Sequence, residues 1–395
     1  MKRGTLISIV LTLALLPCRH AIMAEDGTHR LGKIQFVEEG GKAIYSTGSE
    51  GLRKYWNRYL GREWYKTVYV DGTSTKDFQI ISDITSETRT LIVTTDADGD
   101  NLLINSENDR ESFVDVTPTF IKEADNATIC RIYSYAEGYG YGHGDSNKVF
   151  LSCLGDGAGL YYSPDLCTSW TKVFDGNIDF FTANYKDTLI MVGYTDDEHT
   201  THICISNDDG TTWSELYAKD NTHVTGAIIH PNKHINLMCI YGDSILAITN
   251  DDGMTWKDTA LPAGTVDIAF QYHNDNELYA AVNGEDGMSL WHSKDMGESW
   301  ECIYTLQSES LDAIIDMDVY YYDICCLTRS GYVYRFFQWR EDEFELLNDF
   351  EAMFSELRPI ECNIPSTPYY DLMGRPVTNP VRGIYIKDGK KIAVD

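Results

Sequence analysis

Along most of the chain, apolar residues come in short runs of four to eight, rich in β-branched and aromatic side chains and separated by Asn, Asp and Gly. HINLMCIY (residues 234–241), SILAITN (244–250) and NELYAAVN (276–283) are examples. Runs of this length and composition, punctuated by turn formers, predict strands joined by tight hairpins. The pattern also repeats. SPDLCTSW, SNDDGTTW, TNDDGMTW and SKDMGESW end at Trp170, Trp213, Trp256 and Trp300, and these tryptophans are 43, 43 and 44 residues apart. A fixed period of this size marks a repeated supersecondary unit, either a four-stranded propeller blade or a helical solenoid repeat. The strand-like composition around each copy selects the blade.

The repeated octapeptide reads as a prefabricated turn. In SNDDGTTW, Asp208 can accept backbone N–H bonds, Gly210 supplies a positive φ, Ser206 and Thr212 bond locally, and Trp213 fills the gap beside a neighbouring strand. The corresponding positions elsewhere are Ser163, Asp165 and Trp170; Asp251, Gly253 and Trp256; and Ser293, Asp295, Gly297 and Trp300. These residues resemble the Asp-box, or BNR repeat, of sialidases and related β-propellers. That resemblance implies an all-β propeller in which the box residues are structural. Two eroded copies precede the clean ones, NSENDRESF ending at Phe113 and SEGLRKYW ending at Trp56. After Trp300, LDAIIDMDVY, YYDICCLTRSG, YVYRFFQW and EFELLND read as four more strands. The expectation is seven blades between about Ile34 and Leu347, the first apparently one strand short, with a strand exchanged between the termini to close the ring. Six blades is the alternative.

Both ends read as addresses. Lys2 and Arg3 precede an apolar run, Leu6 to Leu16, and IMA ends at Ala24, the pattern of a secretory signal peptide over residues 1–24. The competing reading is lipidation of Cys18. Residues 25–347 then form the propeller and 348–367 a linker. In 368–395, Tyr370, Leu372, Gly374, Val377, Gly383, Tyr385, Lys390 and Lys391 resemble the end of the sorting domain carried by cargo of the type IX secretion system. Secretion or display on the outer cell surface is what these resemblances imply.

A formal net charge of −29, with no arginine between Arg131 and Arg329, argues against nucleic acid or anionic lipid as partners. No further segment has the length of a membrane span. The ten cysteines follow no metal or disulfide spacing and read as small apolar residues, with Cys130 and Cys153 close enough in the expected sheet to pair. No cofactor motif is present, and a monomer is expected.

With blade strands named A to D from the channel outwards, the box lies in the C–D turn. The B–C turns therefore lie on the opposite face, where sialidase-like propellers bind substrate. These turns are acidic: TDADGDN, LGDGAG, TDDEHT, YGDS and NGEDG. Asp98, Asp156, Asp197 and Asp286, with His202 on the following strand, are the ligand-binding candidates, and Asp96, Asp98 and Asp100 could hold Ca²⁺. Facing carboxylates also suit glycoside hydrolysis. Tyr194 with His199 and His202, Tyr272 with His273, and the glycine-rich insertion 136–147 are further candidates. Sialidase resemblance would imply three carboxylate-binding arginines; Arg53, Arg58 or Arg62 could stand first and Arg329 or Arg335 last, but the middle one has no counterpart. The sequence favours a non-catalytic binding module for an extracellular glycan or surface protein, with a propeller-fold glycoside hydrolase or polysaccharide lyase as the alternative.

Overall fold

The computed structural model describes residues 32–347, apart from 38–42, 58–63, 71–72, 83–87, 96–100, 107–111, 125, 135–146, 185–188, 221, 231–236, 243–244, 272–273, 286, 307–311, 321–322 and 338–342; beyond these it describes the backbone of four short C-terminal strands. Twenty-eight strands form seven four-stranded antiparallel meanders. Blade 1 is Ile34–Val37, Ala43–Ser46, Leu52–Asn57 and Trp64–Tyr69; blade 2 is Thr75–Ser82, Thr88–Thr95, Asn101–Ser106 and Val114–Asp115. Blade 3 is Thr128–Ser134, Val149–Leu154, Gly159–Ser163 and Thr171–Asp175; blade 4 is Phe180–Asn184, Leu189–Thr195, Thr200–Ser206 and Ser214–Asp220. Blade 5 is Gly226–Ile229, Met238–Gly242, Ile245–Thr249 and Lys257–Ala260; blade 6 is Thr265–Phe270, Leu278–Gly284, Gly287–Ser293 and Glu301–Leu306. Blade 7 is Ile314–Tyr320, Asp323–Thr328, Val333–Phe337 and Glu343–Leu346. One short helix, Thr119–Lys122, follows blade 2. The fold is a seven-bladed β-propeller.

Two expectations about the ring are corrected. Blade 1 is not short of a strand, because Ile34–Val37 pairs with Ala43–Ser46 in an ordinary hairpin. No strand is exchanged between the termini either: blades 1 and 7 each consist of four consecutive strands. The ring closes through side chains instead. Asp316 Oδ2 accepts the Ile34 N–H (2.8 Å) and Asp318 Oδ2 accepts the Phe36 N–H (2.7 Å), while the Arg53 guanidinium donates to the carbonyls of Thr47 and Gly331.

Seven apolar clusters hold the blades together, one at each interface. Phe36, Ile44 and Tyr55 of blade 1 meet Cys325, Leu327 and Val333 of blade 7, for example, and Ile190, Val192 and Cys204 of blade 4 meet Phe150 and Leu160 of blade 3. Every B strand therefore has both faces covered, which explains its unbroken apolar sequence: Leu189 to Gly193 and Met238 to Gly242 are buried without a break. The D strands line the outer rim, and those of blades 3, 4 and 5 are largely polar and exposed or half-buried. Lys219–Asp258 and Lys257–Glu298 pair adjacent blades there, and Lys148 pairs with Asp209 of the next blade at 2.6 Å.

An eighth four-stranded sheet occupies the C-terminal stretch, from Tyr369–Tyr370, Pro376–Val377, Gly383–Lys387 and Lys390–Val394, with Tyr369–Tyr370 between the second and third of these.

Candidate functional site

The octapeptide turns all lie between strands C and D. In blade 4 the Ser206 hydroxyl donates to Asp208 Oδ1 (2.8 Å) and accepts the Gly210 N–H (2.9 Å). Asp208 also accepts the Thr212 N–H (2.8 Å) and hydroxyl (2.7 Å). The same bonds recur around Asp165, Asp251 and Asp295. They hold these four carboxyls below the ordinary carboxylate range, chiefly through the hydroxyls of Ser169, Thr255 and Ser299 and, for Asp208, the Thr212 amide. Each tryptophan packs against the preceding blade, and Trp213 Nε1 donates to Val173 O at 2.7 Å. With its oxygens committed to the turn, an aspartate of this kind is bound into scaffold rather than presented to a ligand.

The eroded copies behave differently from one another. Phe113 is buried beside Phe78 and Ile92 at the interface of blades 1 and 2. SEGLRKYW is not a C–D turn at all: its first residues form the B–C turn of blade 1, and Trp56 lies within strand C.

On the opposite face, the B–C turns carry their acids at hairpin tips. Asp156 is exposed in the Gly155–Ala158 turn of blade 3, and Asp197, Glu198 and His199 are exposed in the turn of blade 4. Glu285 is exposed in blade 6. Asp96, Asp98, Asp100, Asp243 and Asp286 lie outside the described residues, as do Tyr272, His273 and the insertion 136–146. Among the described residues no group of three His, Cys, Asp or Glu side chains is arranged to hold a metal ion.

Among the described candidates, His202 is the one that the structure surrounds with titratable partners. It sits on strand C of blade 4, opposite Tyr194 of strand B, and the two rings stack at 4.9 Å. Its Nδ1 lies 2.7 Å from Glu215 Oε2 and its Nε2 3.1 Å from Asp196 Oδ2. The Glu215 bond, helped by Asp196 and opposed by burial, raises the imidazole above its ordinary range. Asp196 is lowered, first by the Thr200 amide and then by His202. The carboxylates approach different nitrogens, so they do not converge on a shared metal position. With both ring nitrogens engaged by carboxylates, the imidazole has no nitrogen left open to take a proton from a substrate.

The arginines also have internal duties. Arg53 is buried at the seam between blades 7 and 1, and Arg335 Nη2 reaches both carboxylate oxygens of Asp323 at 3.0 Å. Neither is presented to a ligand carboxylate, so these two cannot stand in a sialidase triad; Arg58 and Arg62 lie outside the described residues. Cys130 and Cys153 carry free thiols rather than a disulfide, and burial pushes Cys130 up to about 12.

Buried aspartates on the A strands escaped the sequence reading. Asp77 bonds the N–H groups of Phe78 (2.8 Å) and Ile132 of blade 3 (2.9 Å). Asp267 bonds Ile268 (2.7 Å), Met317 of blade 7 (2.9 Å) and the Tyr241 hydroxyl (3.0 Å). Asp318 repeats the arrangement toward blade 1, with Val319 (2.9 Å) and Phe36 (2.7 Å), and Asp316 adds a bond to Ile34. Asp77, Asp267 and Asp316 each follow a break in register at the start of the A strand, and the signal for the first two was the recurrence of Thr-x-Asp in TKDF and TVDI. A second Tyr–His stack was missed as well: Tyr279 on His292 at 4.5 Å, with His292 Nε2 3.0 Å from Glu277 Oε2. Burial lowers His292 despite that carboxylate. Among the described residues no helix is long and apolar enough to cross a membrane.

Comparison with known proteins adds the following. A family model described as Sortilin-Vps10 (sortilin, neurotensin receptor 3) matches residues 201–311. No curated protein sequence matches the chain. Among solved structures, YCF48 bound to D1 peptide is similar with a TM-score of 0.55 at 10% identity over 78% of this chain and 94% of that one. YCF48 from Cyanidioschyzon merolae is similar with a TM-score of 0.51 at 12% identity over 78% and 96%. A Mycobacterium tuberculosis puromycin-hydrolyzing peptidase is similar with a TM-score of 0.55 at 10% identity over 82% of this chain and 54% of that one. At these identities the likeness is one of fold: this chain is a β-propeller of the kind that other proteins use in unrelated settings.

Proposed function

We propose that this protein is an Asp-box propeller acting as a non-catalytic binding module at the cell exterior, engaging an extracellular glycan or a surface protein of neutral or positive charge through its B–C turns. The observation that carries this reading is the disposition of the described acids on that face. Asp156 and Asp197 stand exposed at separate hairpin tips, and Asp196, the acid with the most contacts, spends them on its own turn and on His202. Exposed carboxylates on a rigid ring suit recognition, whereas hydrolysis needs a converging pair in a cleft. The net charge of −29 favours a partner that is not anionic. The fold shared with a propeller solved bound to a peptide is compatible with this use. Residues 1–24 would direct export and 368–395 would act as the sorting segment; fractionation of cells expressing chains lacking either segment tests that part.

A glycan and peptide array run beside a reducing-sugar release assay, on purified chain lacking residues 1–24, decides between binding and turnover. Binding without product release is expected, weakened by Asp156→Ala or Asp197→Ala. Sugar release abolished by either substitution would replace the binding reading with hydrolysis.

A further inference from the structure

Both ring nitrogens of His202 face carboxylate oxygens, Nδ1 toward Glu215 at 2.7 Å and Nε2 toward Asp196 at 3.1 Å. A neutral imidazole has a single N–H, so it can satisfy one of these contacts and must turn a lone pair toward the other; only the imidazolium donates to both. The same Asp196 carboxylate builds the turn below it, since Oδ1 accepts the N–H groups of Glu198 (2.9 Å) and Thr200 (2.8 Å). The turn also contains His199 in the left-handed region at a φ of 63°.

We propose that His202 is a proton-operated clamp: charged, it ties the B–C turn of blade 4 to the outer strand Ser214–Asp220, and neutral, it releases that turn, so that ligand engagement there depends on pH. The ligand clause rests on the binding role proposed for this face; the clamp itself needs no ligand. The groups facing the imidazole are Asp196 from the turn, Glu215 from strand D, the Tyr194 phenol from strand B, and Cys204 two residues along its own strand. From blade 3 the neighbouring strand contributes the Phe174 ring against Tyr194, and its charged residues Lys172 and Asp175 pair with each other at 2.5 Å.

The direction of the pH effect follows from the partners. His202 is raised above its ordinary range, so its contribution is complete below that range and is lost as pH rises through the raised value. Asp196 is lowered, so its contribution fails only in acid. The clamp is therefore closed on the acid side of the raised imidazole value and opens as pH rises through it.

Imidazole ¹⁵N shifts and amide hydrogen exchange on the purified chain read this directly. His202 should titrate above a free histidine, with protons on both nitrogens below its midpoint, and Asp196→Asn should lower that midpoint. Protection of the Glu198 and Thr200 amides should fall severalfold as His202 deprotonates and stay flat with pH in His202→Gln. A His202 midpoint at or below that of a free histidine, or equal protection of the turn on both sides of its titration, would overturn the clamp. Should His202→Gln fold poorly, the wild-type titration and Asp196→Asn still decide. An array with no ligand would defeat the binding role and leave these readouts intact.

Discussion

Two consecutive left-handed residues carry each box turn, Asp209 (φ 57°) and Gly210 (φ 83°) in blade 4 and Met296 (φ 58°) and Gly297 (φ 77°) in blade 6. Only the glycine was legible in sequence, because Asp, Met and Leu all stand at the other position. In blade 3 even the glycine is replaced, and Cys167 holds a φ of 68° while its thiol is buried between blades 2 and 3. A Cβ on Gly210 would come within 2.7 Å of Val173 Cβ. Gly210→Ala should therefore cost roughly 1–3 kcal/mol, from backbone strain together with that contact. Urea denaturation measures it, and the reference is Met254→Ala in the equivalent turn of blade 5, an exposed position where truncation should change stability little.

At the scale of strands, the placement of B–C and C–D turns followed from period and hydrophobic pattern, and the structure puts TDDEHT and the box of blade 4 at opposite ends of the strand Thr200–Ser206. The way the ring closes did not follow. An exchanged strand would have left a detectable orphan segment at one terminus; a carboxylate accepting a backbone N–H from the next blade leaves only an aspartate in an apolar run, as in IIDMDV. Asp316 is buried and bonds the Ile34 N–H across the seam. Asp316→Ala leaves that donor without its acceptor and should destabilise the ring by about 2–4 kcal/mol. Chemical denaturation tests the size. Hydrogen exchange tests the location: the Ile34 amide should lose protection before those of blade 4, and a uniform loss would show that the seam is not the weak point.

For the whole molecule, the carboxylates set the response to acid. Asp165, Asp208, Asp251 and Asp295 are all held below the ordinary range, so the stability they contribute is present above that range and disappears as pH falls through their lowered values. Asp77 has the opposite sign: burial raises it, and protonation favours its folded state. On the account of the four turns the melting temperature should fall as pH is taken from about 5 toward 3. Scanning calorimetry across that range checks the slope, and a flat profile would mean that the turns do not limit stability. Repeat period, strand composition and turn chemistry determined the propeller architecture, with seven blades preferred over six, and the faces on which boxes and acids lie, because these depend on neighbours within about 45 residues. Only the tertiary structure decided that Arg53 closes the seam, that buried aspartates link A strands of adjacent blades, and that His202 stands between two carboxylates. Each of those arrangements joins residues whose partners lie on another strand or another blade, and no local pattern records which side chain a folded neighbour brings within hydrogen-bond reach.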